Sequence, residues 1–164
     1  MEANDLAAIN RRLQALEDQI AIYQIVCGYG YAVDGCNAEA VGSFYAEDGV
    51  YAVADMPAFE GRARIAQITR DAGHLSYVNG GCAHASTLPH VVIEGDKAVA
   101  TCHTMVLRHG EDGFYVFRLS ASRIQLSRKP EGGWQIDHRQ NYLLDGAKEG
   151  PALLARLKEG PRAA

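Results

Sequence analysis

Residues 98–143 read AVATCHTMVLRHGEDGFYVFRLSASRIQLSRKPEGGWQIDHRQNYL, and this stretch decides the fold. It holds three β-rich runs, Ala98 to His109, Gly113 to Arg128 and Trp134 to Leu143. Turn chemistry separates them: His109 to Asp112, then Lys129-Pro130-Glu131-Gly132-Gly133. Such short links join neighbours as hairpins, so the runs read as an antiparallel meander. Strands of about 11 to 15 residues must twist and coil strongly.

Working outward, a fourth run, Ala83 to Glu94, precedes these through the turn Glu94-Gly95-Asp96-Lys97. Val50 to Val53 reads as a short strand after the turn Glu47-Asp48-Gly49. Helical spacing dominates the first half. Leu6, Ile9, Leu13, Leu16, Ile20, Tyr23 and Cys27 follow at steps of three and four. They predict one long helix over residues 5–34, with Asp5 as its N-cap. Carried through Gly30, the stripe puts Asp34 on the buried side of the helix end. A second helix is expected over 38–45, capped by Asn37. A third is expected over 61–72, with Ile65 and Ile68 inward and Gly73 as its stop. A tail helix over 151–157 carries Pro151 in its first turn.

Helices first and a long meander after them give an α+β class. The expected architecture is a cone-shaped α+β barrel. Helices pack against a strongly curved antiparallel sheet that encloses a small-molecule pocket. The whole chain, 1–164, reads as a single domain.

Composition narrows the function. The 164 residues are 48% hydrophobic and 22% charged, an ordinary globular balance. The four cysteines, Cys27, Cys36, Cys82 and Cys102, lack C-x-x-C spacing and read as reduced intracellular thiols, not a zinc site. No apolar stretch reaches about 18 residues, so no membrane span is expected. The acidic, polar N-terminus does not read as a signal peptide, and the expected location is cytoplasmic. Net charge is −4 and basic residues do not cluster, which argues against nucleic-acid partners.

Several polar residues stand among apolar ones. Asp34 precedes Gly35 and reads either as a turn residue or as a buried carboxylate. If buried it needs a donor, because an unpaired buried carboxylate costs several kcal/mol. His84, where a glycine-rich loop enters a strand, is the candidate partner. A carboxylate on one imidazole nitrogen sets the tautomer and makes the other nitrogen more basic. Tyr29 and Tyr31 flank the same helix end, and a buried phenol there can donate to a carbonyl or a leaving hydroxyl. Tyr51 and Tyr142 are further phenols of this kind. Strand alternation puts His103 on a mainly apolar face, with His90 as a possible cross-strand neighbour. On the last strand, Trp134, Ile136, His138, Gln140 and Tyr142 form one set, inward by its Trp and Ile. That reading points His138 and Tyr142 into the pocket and Arg139 outward or to an interface. No H-x-H or H-x-x-x-H spacing supports a metal site, and no glycine-rich phosphate loop is present.

Read together, these segments resemble the SnoaL-like branch of the nuclear transport factor 2-like superfamily. The resemblance is nearest to scytalone dehydratase, bile-acid 7α-dehydratase and hexachlorocyclohexane dehydrochlorinase. It rests on Tyr29-Gly30-Tyr31-Ala32-Val33-Asp34-Gly35, Phe44-Tyr45-Ala46-Glu47-Asp48-Gly49-Val50 and Phe59-Glu60-Gly61. It also rests on His84, Val92-Ile93-Glu94-Gly95-Asp96-Lys97-Ala98 and Gly132-Gly133-Trp134-Gln135-Ile136-Asp137-His138-Arg139. It implies an Asp34–His84 dyad, a substrate-polarising role for Tyr29, no cofactor, and a homo-oligomer, trimer or dimer. The bile-acid enzyme's late arginine falls here on Leu143, so substrate identity does not carry over.

The expected function is a cofactor-independent lyase or isomerase, dehydratase-like, on a small hydrophobic or polycyclic substrate. His84, Asp34 and Tyr29 would be catalytic. Tyr31, Tyr51, His103, His138 and Tyr142 would bind substrate. A polyketide cyclase-type or other isomerase in the same pocket stands as the alternative, as does a ligand-binding module without chemistry.

Overall fold

The computed structural model describes residues 3–161. Helix α1 spans Ala3–Asp34. It ends in a tight reversal in which Cys36 N–H donates to the Val33 carbonyl and Asn37 N–H to that of Ala32. Cys36 takes the positive φ of 51° that such an end requires. Asn37 then caps α2, Ala38–Ser43, its side chain accepting from Ala40 N–H at 3.0 Å. Strand β1, Tyr45–Val53, and the short β2, Phe59–Glu60, follow.

The region expected as one helix over 61–72 is two. Helix α3 is Arg62–Gln67, a tight 3-10 turn covers Ile68–Arg70, and α4 runs Ala72–Asn79. Gly73 does not stop a helix; it lies in the first turn of α4, after the extended Asp71. The run 83–94 is also divided, into β3, Cys82–Ser86, and β4, His90–Glu94. Pro89, without an N–H, sits in the break. Both pieces pair antiparallel with β5, Lys97–Gly110. β6, Gly113–Arg128, β7, Trp134–Leu143, and α5, Glu149–Ala155, complete the chain.

The strand order is β2-β1-β7-β6-β5-β3, with β4 also on β5. β1 begins at Tyr45, not Val50, and runs parallel to β7, so the sheet is mixed. It coils into a cone but stays open, with β2 and β3 as edges. Extra residues bend it. Phe117 is extra on β6 and Asp137 on β7. The core lies between α1 and the concave face, with Ile22, Val33, Tyr45, Ile124, Leu126 and Ile136 almost fully buried.

The apolar stripe expected to be the buried face of α1 lies largely on its open side, and the core takes the opposite side. Ile22, Val26 and Val33 are in the core, but Leu6, Ile9, Leu13, Leu16 and Ile20 are 45–58% exposed. Asp18 marks where the helix meets the body. Arg128 donates to both its oxygens, at 2.9 and 2.8 Å, and Trp134 Nε1 donates at 3.0 Å. Among the described residues no helix is long and apolar enough to cross a membrane.

Candidate active site

Helix α1 delivers Asp34 from its last turn, and β3 delivers His84 from the sheet edge. The close approach requires Gly30. A Cβ there would lie 2.1 Å from the His84 carbonyl oxygen. With the backbones in contact, His84 Nδ1 lies 2.6 Å from Asp34 Oδ1. The His84 backbone N–H donates to Asp34 Oδ2 at 2.7 Å, and the Cys82 thiol faces Oδ1 at 3.8 Å. Burial pushes the Asp34 carboxyl up, but the hydrogen bonds from His84 outweigh it and hold the carboxyl below its ordinary value. An ionised carboxylate only accepts, so Nδ1 carries the proton and donates, which in the neutral imidazole leaves the lone pair on Nε2. Nε2 bonds no described residue.

His84 borders two neighbouring spaces that share Tyr29, Tyr51 and Arg118 in their walls. One, of about 260 Å³, is lined by Tyr29, Tyr51, Phe59, His74, Tyr77 and Arg118 among others. A narrow inner recess of about 30 Å³ reaches Arg139 and Asn141. Tyr29 and Tyr51 are buried there, their rings edge-on at 6.1 Å. Burial, then the neighbouring phenols, push the Tyr29 hydroxyl well above its ordinary value, so it stays protonated and can donate.

Arg139 is 6% exposed and its guanidinium lies 4.4 Å from the Tyr29 ring centre and 5.2 Å from that of Tyr51. No carboxylate among the described residues pairs with it. Its Nε, the Tyr45 hydroxyl and the Asn141 Oδ1 are all buried without a hydrogen-bond partner. Arg118, half-buried, borders both spaces. His74, from α4, donates Nε2–H to the Val33 carbonyl at 2.9 Å, and its ring centre lies 5.8 Å from that of His84.

The structure therefore brings His84, Tyr29 and Tyr51 to one chamber, with Asp34 behind His84, bonded to its ring and its backbone N–H. Four other expected site residues lie elsewhere. Tyr31 is 80% exposed on the outer side of α1. His103 is exposed on β5, and His90 faces Thr101 in register, not His103. His138 and Tyr142 line a separate cavity of about 370 Å³ under α5, on the other face of the sheet. The cause is Asp137. Leu126 pairs with Ile136 and Gln125 with His138, so one residue is skipped and the alternation inverts. Trp134 and Ile136 still face the core. Beyond the bulge Arg139 and Asn141 face inward, and His138, Gln140 and Tyr142 face away.

Sequence reasoning missed Arg139, Arg118, Asn141 and His74. A bulge leaves no residue-type signal, and the premature helix stop at Gly73 hid α4. One metal-type cluster occurs among the described residues: Asp34, Cys82 and His84, with ligand atoms within 4.8 Å of one another. Within it, Asp34 Oδ1 and His84 Nδ1 already bond each other.

Helices over an open coiled sheet, with a polar cluster inside the cone, define the nuclear transport factor 2-like architecture. The chain belongs to the SnoaL-like domain family, whose model matches residues 14–140. An NTF2-like protein with a cystatin-like fold from Novosphingobium aromaticivorans is 38% identical. The match covers 93% of this chain and 97% of that one, with TM-score 0.87. The hexachlorocyclohexane dehydrochlorinase LinA-type3 of Novosphingobium barchaimii LL02 shares the fold at 14% identity. It covers 81% and 90% of the two chains, with TM-score 0.70. A Catenulispora acidiphila protein solved in complex with S-DNPA matches at 22% identity. It covers 79% and 94%, with TM-score 0.65. None of the curated proteins compared matches the chain.

Proposed function

We propose that the protein is a cofactor-independent lyase or isomerase acting on a small, largely hydrophobic organic substrate. One observation carries the reading: an imidazole held by a carboxylate at 2.6 Å, with its second nitrogen unpaired beside an apolar chamber. In this reading His84 Nε2 takes a proton from a carbon made acidic by a neighbouring carbonyl or leaving group. Asp34 holds the ring's tautomer and stabilises the imidazolium that forms. Arg139, with the Tyr29 hydroxyl, receives the negative charge that develops on an oxyanion or departing group. Side chains supply every role, so no cofactor is called for.

The dehydrochlorinase neighbour performs an elimination, which is support by analogy of fold alone. Elimination and isomerisation share the proton-abstraction step and part afterwards. Loss of water or halide lowers substrate mass; a double-bond shift or aldol closure does not. The test is a panel of cyclic β-hydroxy ketones and haloalkanes in deuterated water, with products read by NMR and mass spectrometry. On any substrate turned over, His84→Ala should lose about 10²–10⁴ in rate with the circular dichroism spectrum unchanged. Full activity in that variant would remove the dyad from the chemistry.

A further inference from the structure

The first half of α1 leaves the body. From Asp5 to Glu17 no residue is buried, and only Ala8 is even half-covered. Contact resumes at Asp18, held by Arg128 and Trp134. The free arm is about 20 Å long at 1.5 Å per residue. An isolated helix of that length is marginal in water, and this one is held only by its continuity with the packed half of α1. Nothing in the described chain covers it.

Its sequence states what would. Leu6, Ile9, Leu13, Leu16 and Ile20 recur at steps of three, four, three and four. This is a coiled-coil seam, in which Leu6, Leu13 and Ile20 occupy one core position and Ile9 and Leu16 the other. All five are 45–58% exposed. The same helix face continues to Gly30, where it meets β3. The seam faces away from the side of α1 that the core buries, which Asp18, Ile22, Val26, Tyr29 and Val33 carry.

The flanking charges identify the occupant. In this phase Arg12 and Glu17 fall on opposite shoulders of the seam, five residues apart. In a parallel pair of identical helices, Arg12 of each copy faces Glu17 of the other, on both sides. In an antiparallel pair each shoulder meets its own kind, and Arg12 never meets Glu17. Both residues are exposed, and neither has an ion-pair partner among the described residues. We propose that the α1 arm, residues 5–20, is the self-association surface of this protein. It would zip in parallel against the arm of a second copy through Leu6, Ile9, Leu13, Leu16 and Ile20, in a register set by Arg12 and Glu17.

Sedimentation velocity on the full chain, from about 1 to 100 µM, tests this, with affinities read from the concentration dependence. The wild type should sediment as a dimer. Leu13→Asp combined with Leu16→Asp should give a monomer with unchanged thermal melting of the body, since both residues are exposed in the single chain. Arg12→Glu should weaken association about tenfold or more, and R12E/E17R should restore it. The proposal fails if the wild type is monomeric throughout, or if L13D/L16D leaves the assembly intact. It fails equally if the charge-swapped double variant stays as weak as R12E.

Discussion

Asp18 sits at 7% exposure, bonded by Arg128, Trp134 and Gln14. The Arg128 hydrogen bonds, first among these contacts, hold its carboxyl at about 2, against an ordinary 3.8. A folded-state value below the unfolded one adds stability that is complete above the unfolded value. It is lost as pH falls through the folded one. Asp18 should therefore contribute about 2 kcal/mol at neutral pH, fading between pH 3.8 and about 2. Asp18→Asn should show that deficit in urea unfolding at pH 7 and almost none near pH 2. A deficit independent of pH would assign the loss to packing instead. At the same scale, the sequence made Asp34 and His84 conspicuous because a carboxylate and an imidazole are out of place among apolar neighbours. It hid Arg139, whose burial depends on a backbone irregularity several residues away.

The elements set how close those groups come. Gly30 lets β3 lie directly on α1, and its absent Cβ is the space the His84 carbonyl occupies. Gly30→Ala should force the strand outward and part His84 from Asp34. Overpacking of this kind costs about 1–3 kcal/mol. Thermal melting should fall modestly while turnover falls as far as in His84→Ala; retained turnover would mean that the edge strand yields without disturbing the dyad. Long strands and their turns were legible because Gly, Pro and Asp punctuate a period of two. The division of 83–94 was masked by the β-formers on either side of Pro89, which read as one continuous run. The face assignment on β7 failed for a different reason. Alternation predicts faces only while the register is unbroken, and Asp137 breaks it.

Across the whole molecule, the α+β class and the cone of helices on a coiled sheet were readable from the order of periodicities. The mixed character of the sheet was not, because β1 and β7 are distant in sequence and their parallel pairing has no local signal. The chamber concentrates unfavourable burial: the Arg139 Nε and the Asn141 Oδ1 lack hydrogen-bond partners there. Arg139→Met should remove that burden and stabilise the fold by about 1 kcal/mol or more, because no buried carboxylate is orphaned. For a chain of this size that is a rise in Tm of about 2–4 °C per kcal/mol. Turnover should fall at the same time. A lower Tm would show instead that the stacking of Arg139 on Tyr29 and Tyr51 outweighs its desolvation.

The skipped residue at Asp137 has a consequence for how such a protein changes over generations. Removing that single position would turn no neighbour over: His138 would follow Ile136 directly in register, still facing away, and Arg139 and Asn141 would still face the chamber. Loss of one codon at that spot would therefore spare the lining groups, whereas a slip that took Asp137 into the ladder would carry His138 and Tyr142 inward and expel Arg139 and Asn141 in a single event.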